Sequence, residues 1–227
     1  MHLFGTACAN TDKVPLNVMP MGEYEPEIVR EMYELTEPLI EMGKGKPHVL
    51  AVFVIGNWND DLSPWQSPAL GRKQEDFGGK AGETLGWILN RFMPAAEAQF
   101  PAVRGGARGL LGYSLAGLFA LWAMLHTDGF QVFGSCSGSL WYEGFAGYFA
   151  DHAPMTPCSA YISLGDREEA VRHPVFARVG DATRQIAAYL ETSPGVRDSV
   201  LEWNSGGHAD AVGERLAKAQ IWMCKRM

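Results

Sequence analysis

The segment Gly112-Tyr113-Ser114-Leu115-Ala116-Gly117 constrains this chain more than any other. It lies between a short apolar run, Gly109–Tyr113, and a strongly apolar stretch, Leu115–His126. A strand that passes directly into a helix needs small residues on both sides of the turn, because the two elements approach closely there. Gly112 and Ala116 meet that need, with Gly117 following. The pattern predicts a strand, a sharp turn carrying Ser114, and a buried helix whose unpaired N–H groups and positive dipole end face the serine.

The remaining chain supplies the sheet such a turn belongs to. His48–Gly56 is a continuous apolar run rich in valine, the pattern of a strand buried on both faces of a parallel sheet. Val132–Cys136, Ser159–Leu164 and Val200–Asn204 read as further strands. Between them fall helices over Ala81–Phe100, Val175–Glu191 and Asp210–Lys225, the first with Leu85, Ile88, Leu89 and Phe92 on one side and Pro94 near its end. Towards the N-terminus, Leu3–Ala7 and Pro15–Met19 read as short strands. Glu27–Met42 has helical spacing that Pro38 weakens. Asn57 to Gly79 reads as one long loop, and loops of that length in compact domains usually have a function. The alternation predicts an α/β fold with a mostly parallel central sheet, right-handed crossovers and helices on both faces. Its 227 residues suit one domain, 1–227, with minimal or no cap. Ligands in such sheets bind beyond the carboxyl ends of the strands, so the loops starting at Gly56, Tyr113, Ser137, Gly165 and Ser205 are the ones expected to build a site.

Composition narrows the partners. A formal net charge of -7 without a basic run argues against nucleic acid. The first residues do not read as a signal peptide, and no apolar stretch approaches the ~20 residues needed to cross a bilayer. Cys8, Cys136, Cys158 and Cys224 are scattered with no C-x-x-C pair, which reads as free thiols in a reducing cytoplasm rather than a zinc site or disulfide framework.

A serine before a helix is often only a cap. Between a strand and a helix, however, Ser114 is a candidate nucleophile, with the N–H of Leu115 as one oxyanion donor. Hydrolases of the α/β architecture carry an acid and then a histidine after the nucleophile. His126, His152 and His173 do not fall just beyond a predicted strand. His208 does, after Ser205-Gly206-Gly207, so it is the candidate general base. The acid belongs to Gly165-Asp166-Arg167-Glu168-Glu169. Spacing favours Glu168, three residues after the glycine, with Asp166 and then Glu169 as alternatives, and a Ser–His dyad also remains open. A second oxyanion donor is expected after an earlier strand, from Trp58 or from Asn57. Trp65, Trp141 and Tyr142 are candidate pocket walls, with core packing the alternative for each.

These residues resemble a known group. Gly112 to Phe119 is similar to the G-[HY]-S-x-[GA]-G-L-F signature of the putative-esterase family of α/β hydrolases, which includes siderophore esterases, feruloyl esterases and the S-formylglutathione hydrolase group. Ser137-Gly138-Ser139-Leu140-Trp141 resembles its S-P-S-x-W with Gly138 in place of proline. Trp203–His208 is similar to the segment around its histidine, and the Trp58–Trp65 loop looks like that of small bacterial members. The resemblance spans roughly 48 to 223. It implies Ser114 and His208 as catalytic, an acid near Glu168, and hydrolysis of a small or medium carboxylic ester through an acyl-enzyme, with no metal or organic cofactor. Thioester hydrolysis, acyl transfer or non-catalytic binding are the alternatives. Ala116 stands where glycine is commoner, and the short chain suggests an open site.

Overall fold

The computed structural model describes residues 2–5, 13–22, 26–71 and 74–227. Cys8, and Thr6 and Ala7 of the first expected strand, lie outside the described residues. In chain order come β1 (His2–Gly5), β2 (Leu16–Met21), α1 (Pro26–Glu41), β3 (Val49–Val54) and α2 (Trp58–Leu62). A minimal hairpin, β4 (Gln66–Ser67) with β5 (Phe77–Gly78), precedes α3 (Ala81–Trp87) and α4 (Met93–Gln99). Then follow β6 (Arg108–Tyr113), α5 (Leu115–Met124), β7 (Val132–Cys136), α6 (Phe145–Ala150), β8 (Cys158–Gly165), α7 (Val179–Thr192), β9 (Val196–Asn204) and α8 (Val212–Cys224).

Seven strands form one sheet in the order β1-β3-β2-β6-β7-β8-β9. β1 runs antiparallel to β3, and every other pair is parallel. Alternate residues of β3 divide between two cores. Val49, Ala51 and Phe53 pack with α3, α4 and α5 on one face, whereas Leu50 and Val52 join Val29, Met32, Leu216 and Met223 of α1 and α8 on the other. This is an α/β sheet covered on both faces, as period-two side-chain alternation requires of a strand with no solvent side. All ten residues of α5 are buried, so the segment after the elbow has no polar face.

Register aligns the loops that matter. Tyr113 pairs with Cys136, Cys136 with Ser163, and Gly165 with Asn204. The residues immediately beyond these strand ends therefore form a row along the carboxyl edge of the sheet.

Three expectations are corrected. The stretch expected as one loop, 57–79, contains α2, because the Asn57 side chain accepts the Asp60 N–H and caps a short helix. The helix expected over 81–100 carries a π turn at Ile88–Phe92 just before Pro94. Proline has no N–H to continue the ladder, and the wider turn accommodates it. The last helix starts at Val212 rather than Asp210, since Asp210 instead accepts the Gly207 N–H and Ala211 has φ of 52°. No helix among the described residues is long and apolar enough to cross a membrane.

Candidate active site

Ser114 sits at the turn between β6 and α5 with φ 57° and ψ -124°. A non-glycine residue there is strained, and the surrounding packing holds it. The approach is close: a Cβ on Gly112 would lie 2.1 Å from the Ala116 carbonyl oxygen, and one on Gly117 would lie 2.9 Å from Ser135 Oγ. The Ser114 N–H donates to the Cys136 carbonyl at 3.0 Å, and its own carbonyl accepts from Ser139 N–H at 3.0 Å. The serine is thus laced to the neighbouring strand end.

His208 Nε2 lies 3.1 Å from Ser114 Oγ, and its Nδ1 lies 2.7 Å from Glu168 Oε2. Glu168 reaches that position because its turn closes on itself. Gly165 N–H donates to Glu168 Oε1 at 2.8 Å while Glu168 N–H donates to the Gly165 carbonyl at 3.1 Å. The same Oε1 accepts from Ser137 Oγ at 2.7 Å and Arg215 Nη1 at 3.0 Å. Burial pushes the Glu168 carboxyl upward, but hydrogen bonds from His208, Ser137 and the Gly165 amide outweigh it and hold the pKa below the ordinary glutamate value.

The other two carboxylates of that turn have different partners. Asp166 is exposed and accepts the Gly206 N–H at 2.8 Å, tying the acid loop to the histidine loop. Glu169 pairs with Arg184 at 2.6 Å. Neither has a bond to His208 among those of the described residues.

Two further side chains hold the histidine loop. Tyr113 Oη donates to the His208 carbonyl at 2.6 Å. Arg215 Nη2 donates to the Ser205 carbonyl at 3.0 Å, and its Nη1 also lies 3.2 Å from Tyr113 Oη and 2.9 Å from Ser137 Oγ. Arg215 is only 1% exposed, a burial that arginine tolerates when its charge is met by a carboxylate. Neither Arg215 nor Ser137 was singled out as a functional residue from the sequence. The available signal was the position of Arg215 beside Leu216, Ala219 and Met223 on the apolar face of α8.

Towards β3, the Asn57 N–H donates to Asp61 Oδ2 at 3.1 Å and so is already engaged. Trp58 opens α2, where the first N–H groups have no acceptor within the helix. Gly56, Trp58, Ser114, Leu115 and Trp141 share the wall of a cavity of about 600 Å³. Of the expected pocket residues, Trp141 lines this cavity. Trp65 and Tyr142 pack on each other instead, ring centroids 5.7 Å apart, with Tyr142 Oη donating to the Trp65 carbonyl at 2.6 Å. Burial pushes the thiols of Cys136 and Cys158 up to about 12, so neither offers a thiolate near neutral pH.

Comparison with known proteins agrees on family and fold. The family model described as "Putative esterase" matches residues 31–194. An uncharacterized protein, YbbA of Bacillus subtilis (strain 168), is 29% identical over 168 residues, covering 72% of this chain and 67% of that protein. An IroE-like serine hydrolase from Shewanella oneidensis superposes with a TM-score of 0.80 at 17% identity, covering 94% of this chain and 71% of that one. The siderophore hydrolase EstA from Aspergillus nidulans does so with 0.73 at 18% identity, covering 99% and 94%.

Proposed function

The chain belongs to the putative-esterase family, and from that premise we propose that it is a serine hydrolase that cleaves a small or medium carboxylic ester through an acyl-enzyme on Ser114. The observation that carries this reading is the unbroken relay from Ser114 Oγ through both nitrogens of His208 to Glu168, at 3.1 and 2.7 Å.

Each member has one role. His208 Nε2 takes the Ser114 proton as Oγ attacks the ester carbonyl. Glu168, ionised and held by Ser137, Gly165 and Arg215, accepts the Nδ1–H and so keeps Nε2 as the acceptor facing the serine. The N–H groups of Leu115 and Trp58 receive the oxyanion, since that of Asn57 is committed to Asp61. Collapse expels the alcohol, which leaves with the proton from His208. Water deprotonated by the same nitrogen then releases the acid. Carboxylate and imidazole suffice for these transfers, so the mechanism calls on no cofactor. Free, buried Cys136, Cys158 and Cys224 support a cytoplasmic setting.

A fluorophosphonate probe tests the proposal. One covalent adduct is expected, located at Ser114 by peptide mass spectrometry and absent from Ser114→Ala. A folded protein that stays unlabelled overturns it.

A further inference from the structure

Of the hollows that touch Ser114, two are large enough to hold part of a substrate, the third being only about 40 Å³. The larger, about 600 Å³, lies on the side of Trp58 and Leu115. The smaller, about 380 Å³, lies on the side of His208 and is walled by Trp141, Val171, Phe176 and Val179. Trp141 and Phe176 belong to both, and their rings, 5.0 Å apart at 71°, form the ridge between them.

From this division we propose that the smaller recess is the leaving-group subsite and selects an apolar alcohol, alkyl or aryl, over a polar one. The inference rests on the Ser114–His208 reading above. Proton transfer decides which side is which. The leaving oxygen must collect its proton from His208 Nε2, so the alcohol portion lies against the histidine. The carbonyl oxygen must meet the N–H groups of Leu115 and Trp58, which turns the acyl portion into the larger hollow.

The chemistry of the smaller wall sets the class of alcohol. Of its polar side chains, Ser137 and Glu168 are engaged with each other and with Arg215, and Ser139 Oγ, 3.4 Å from Ser114 Oγ, belongs to both hollows. Glu168 Oε1 is shared among Ser137, Gly165 and Arg215, and Oε2 faces His208. The Arg167 guanidinium at the edge pairs with Asp210 at 3.3 Å. Beyond the catalytic residues, and beyond Ser137, Ser139, Arg167 and Gly207, the wall of the recess is two aromatic rings and two valines. A polar alcohol would lose water there without gaining partners, whereas an apolar one gains burial. The volume lies within the range of ordinary small-ligand pockets.

The test uses kcat/KM, which reports the acylation step while the alcohol is still attached. Acetates of methanol, butanol, benzyl alcohol and 2-methoxyethanol form one series. Methyl esters of acetic, butyric and phenylacetic acids form the other. In the alcohol series kcat/KM should climb from methyl to butyl and benzyl, by up to about fourfold per buried methylene, while the methoxyethyl ester falls well short of butyl. Val171, 43% exposed at the rim, tolerates a polar replacement. Val171→Asp should lower the benzyl-to-methyl ratio about tenfold or more and do so in the alcohol series rather than the acyl series. A methoxyethyl ester as good as butyl overturns the proposal, as does a Val171→Asp effect confined to the acyl series. A flat alcohol series from enzyme whose Ser114 is labelled by fluorophosphonate overturns the subsite alone. Absence of that label overturns the nucleophile reading beneath it.

Discussion

The turn that carries Ser114 and the loop that carries His208 meet within 3.1 Å but are held by different means. Around the serine the determinants are local. Gly112, Ala116 and Gly117 clear the space, and α5 follows at once. Around the histidine they come from afar. Tyr113 lies 95 residues away in sequence and Glu168 40 away, and Arg215 binds the loop at Ser205 while pairing with Glu168. A locally determined turn survives the loss of distant side chains. A loop held by long-range bonds is loosened by the loss of any of them, so substitutions should separate the two regions.

The largest effect is expected where the two meet. Ser114→Ala and His208→Ala should each lower turnover by about 10⁴-fold or more, and the double variant by little beyond either one, because the residues act as a unit. Steady-state assays beside thermal melts would check that activity falls without loss of fold. A sum of two independent losses would mean that they do not share a step.

Next come the two carboxylates of the acid turn. Glu168→Gln should lower kcat on the order of 10²–10⁴-fold by placing an amide against His208 Nδ1. Asp166→Asn, which alters only the tie to Gly206, should keep activity within about tenfold, since it removes charge from one hydrogen bond. The reverse ranking would assign the acid to Asp166.

Arg215→Met tests the buried support. Removing one partner of a buried ion pair costs about 3–5 kcal/mol, and both residues are nearly inaccessible here, with side chains 1% and 3% exposed. Urea unfolding should show that loss. It should also show the linkage of Glu168 to pH. Its folded pKa is depressed, so its contribution to stability is complete above the unfolded value of about 4.3 and disappears as pH falls through the folded value. In Arg215→Met that acid-side loss should be smaller and should be complete at a higher pH, because the folded value moves up towards the unfolded one. An unchanged midpoint would show that Arg215 does not stabilise the carboxylate.

The smallest effect is expected from Tyr113→Phe. It deletes the hydroxyl that donates to the His208 carbonyl and leaves the ring in place. The cost should be about 1 kcal/mol of stability and a modest fall in kcat, with fluorophosphonate labelling slowed rather than abolished. A loss as large as that of His208→Ala would mean that this one bond sets the histidine.

How much of this was legible in the chain follows the same division. The strand–serine–helix turn could be read because its requirement is steric and its residues are adjacent. The strand order could not, yet the alternation of apolar runs sufficed for a mostly parallel sheet. The stretch after Gly56 reads as a single loop because the helix that the Asn57 side chain caps is only five residues long. Trp65, Trp141 and Tyr142 were indistinguishable as aromatic residues. Only packing directs Trp141 towards the cavity and sets Trp65 against Tyr142.

By itself, then, the sequence determined the class of fold and the places where Ser114, His208 and an acid could stand, because period, small-residue spacing and chain order act over a few residues at a time. Tertiary structure decided which carboxylate of Asp166, Glu168 and Glu169 faces His208, and that decision lies in the buried partners. Ser137 and Arg215 come from other elements, and they favour the one carboxylate whose charge they can reach. Hydrogen-bond geometry at 2.7–3.0 Å is a property of the folded neighbourhood, and no local pattern encodes it.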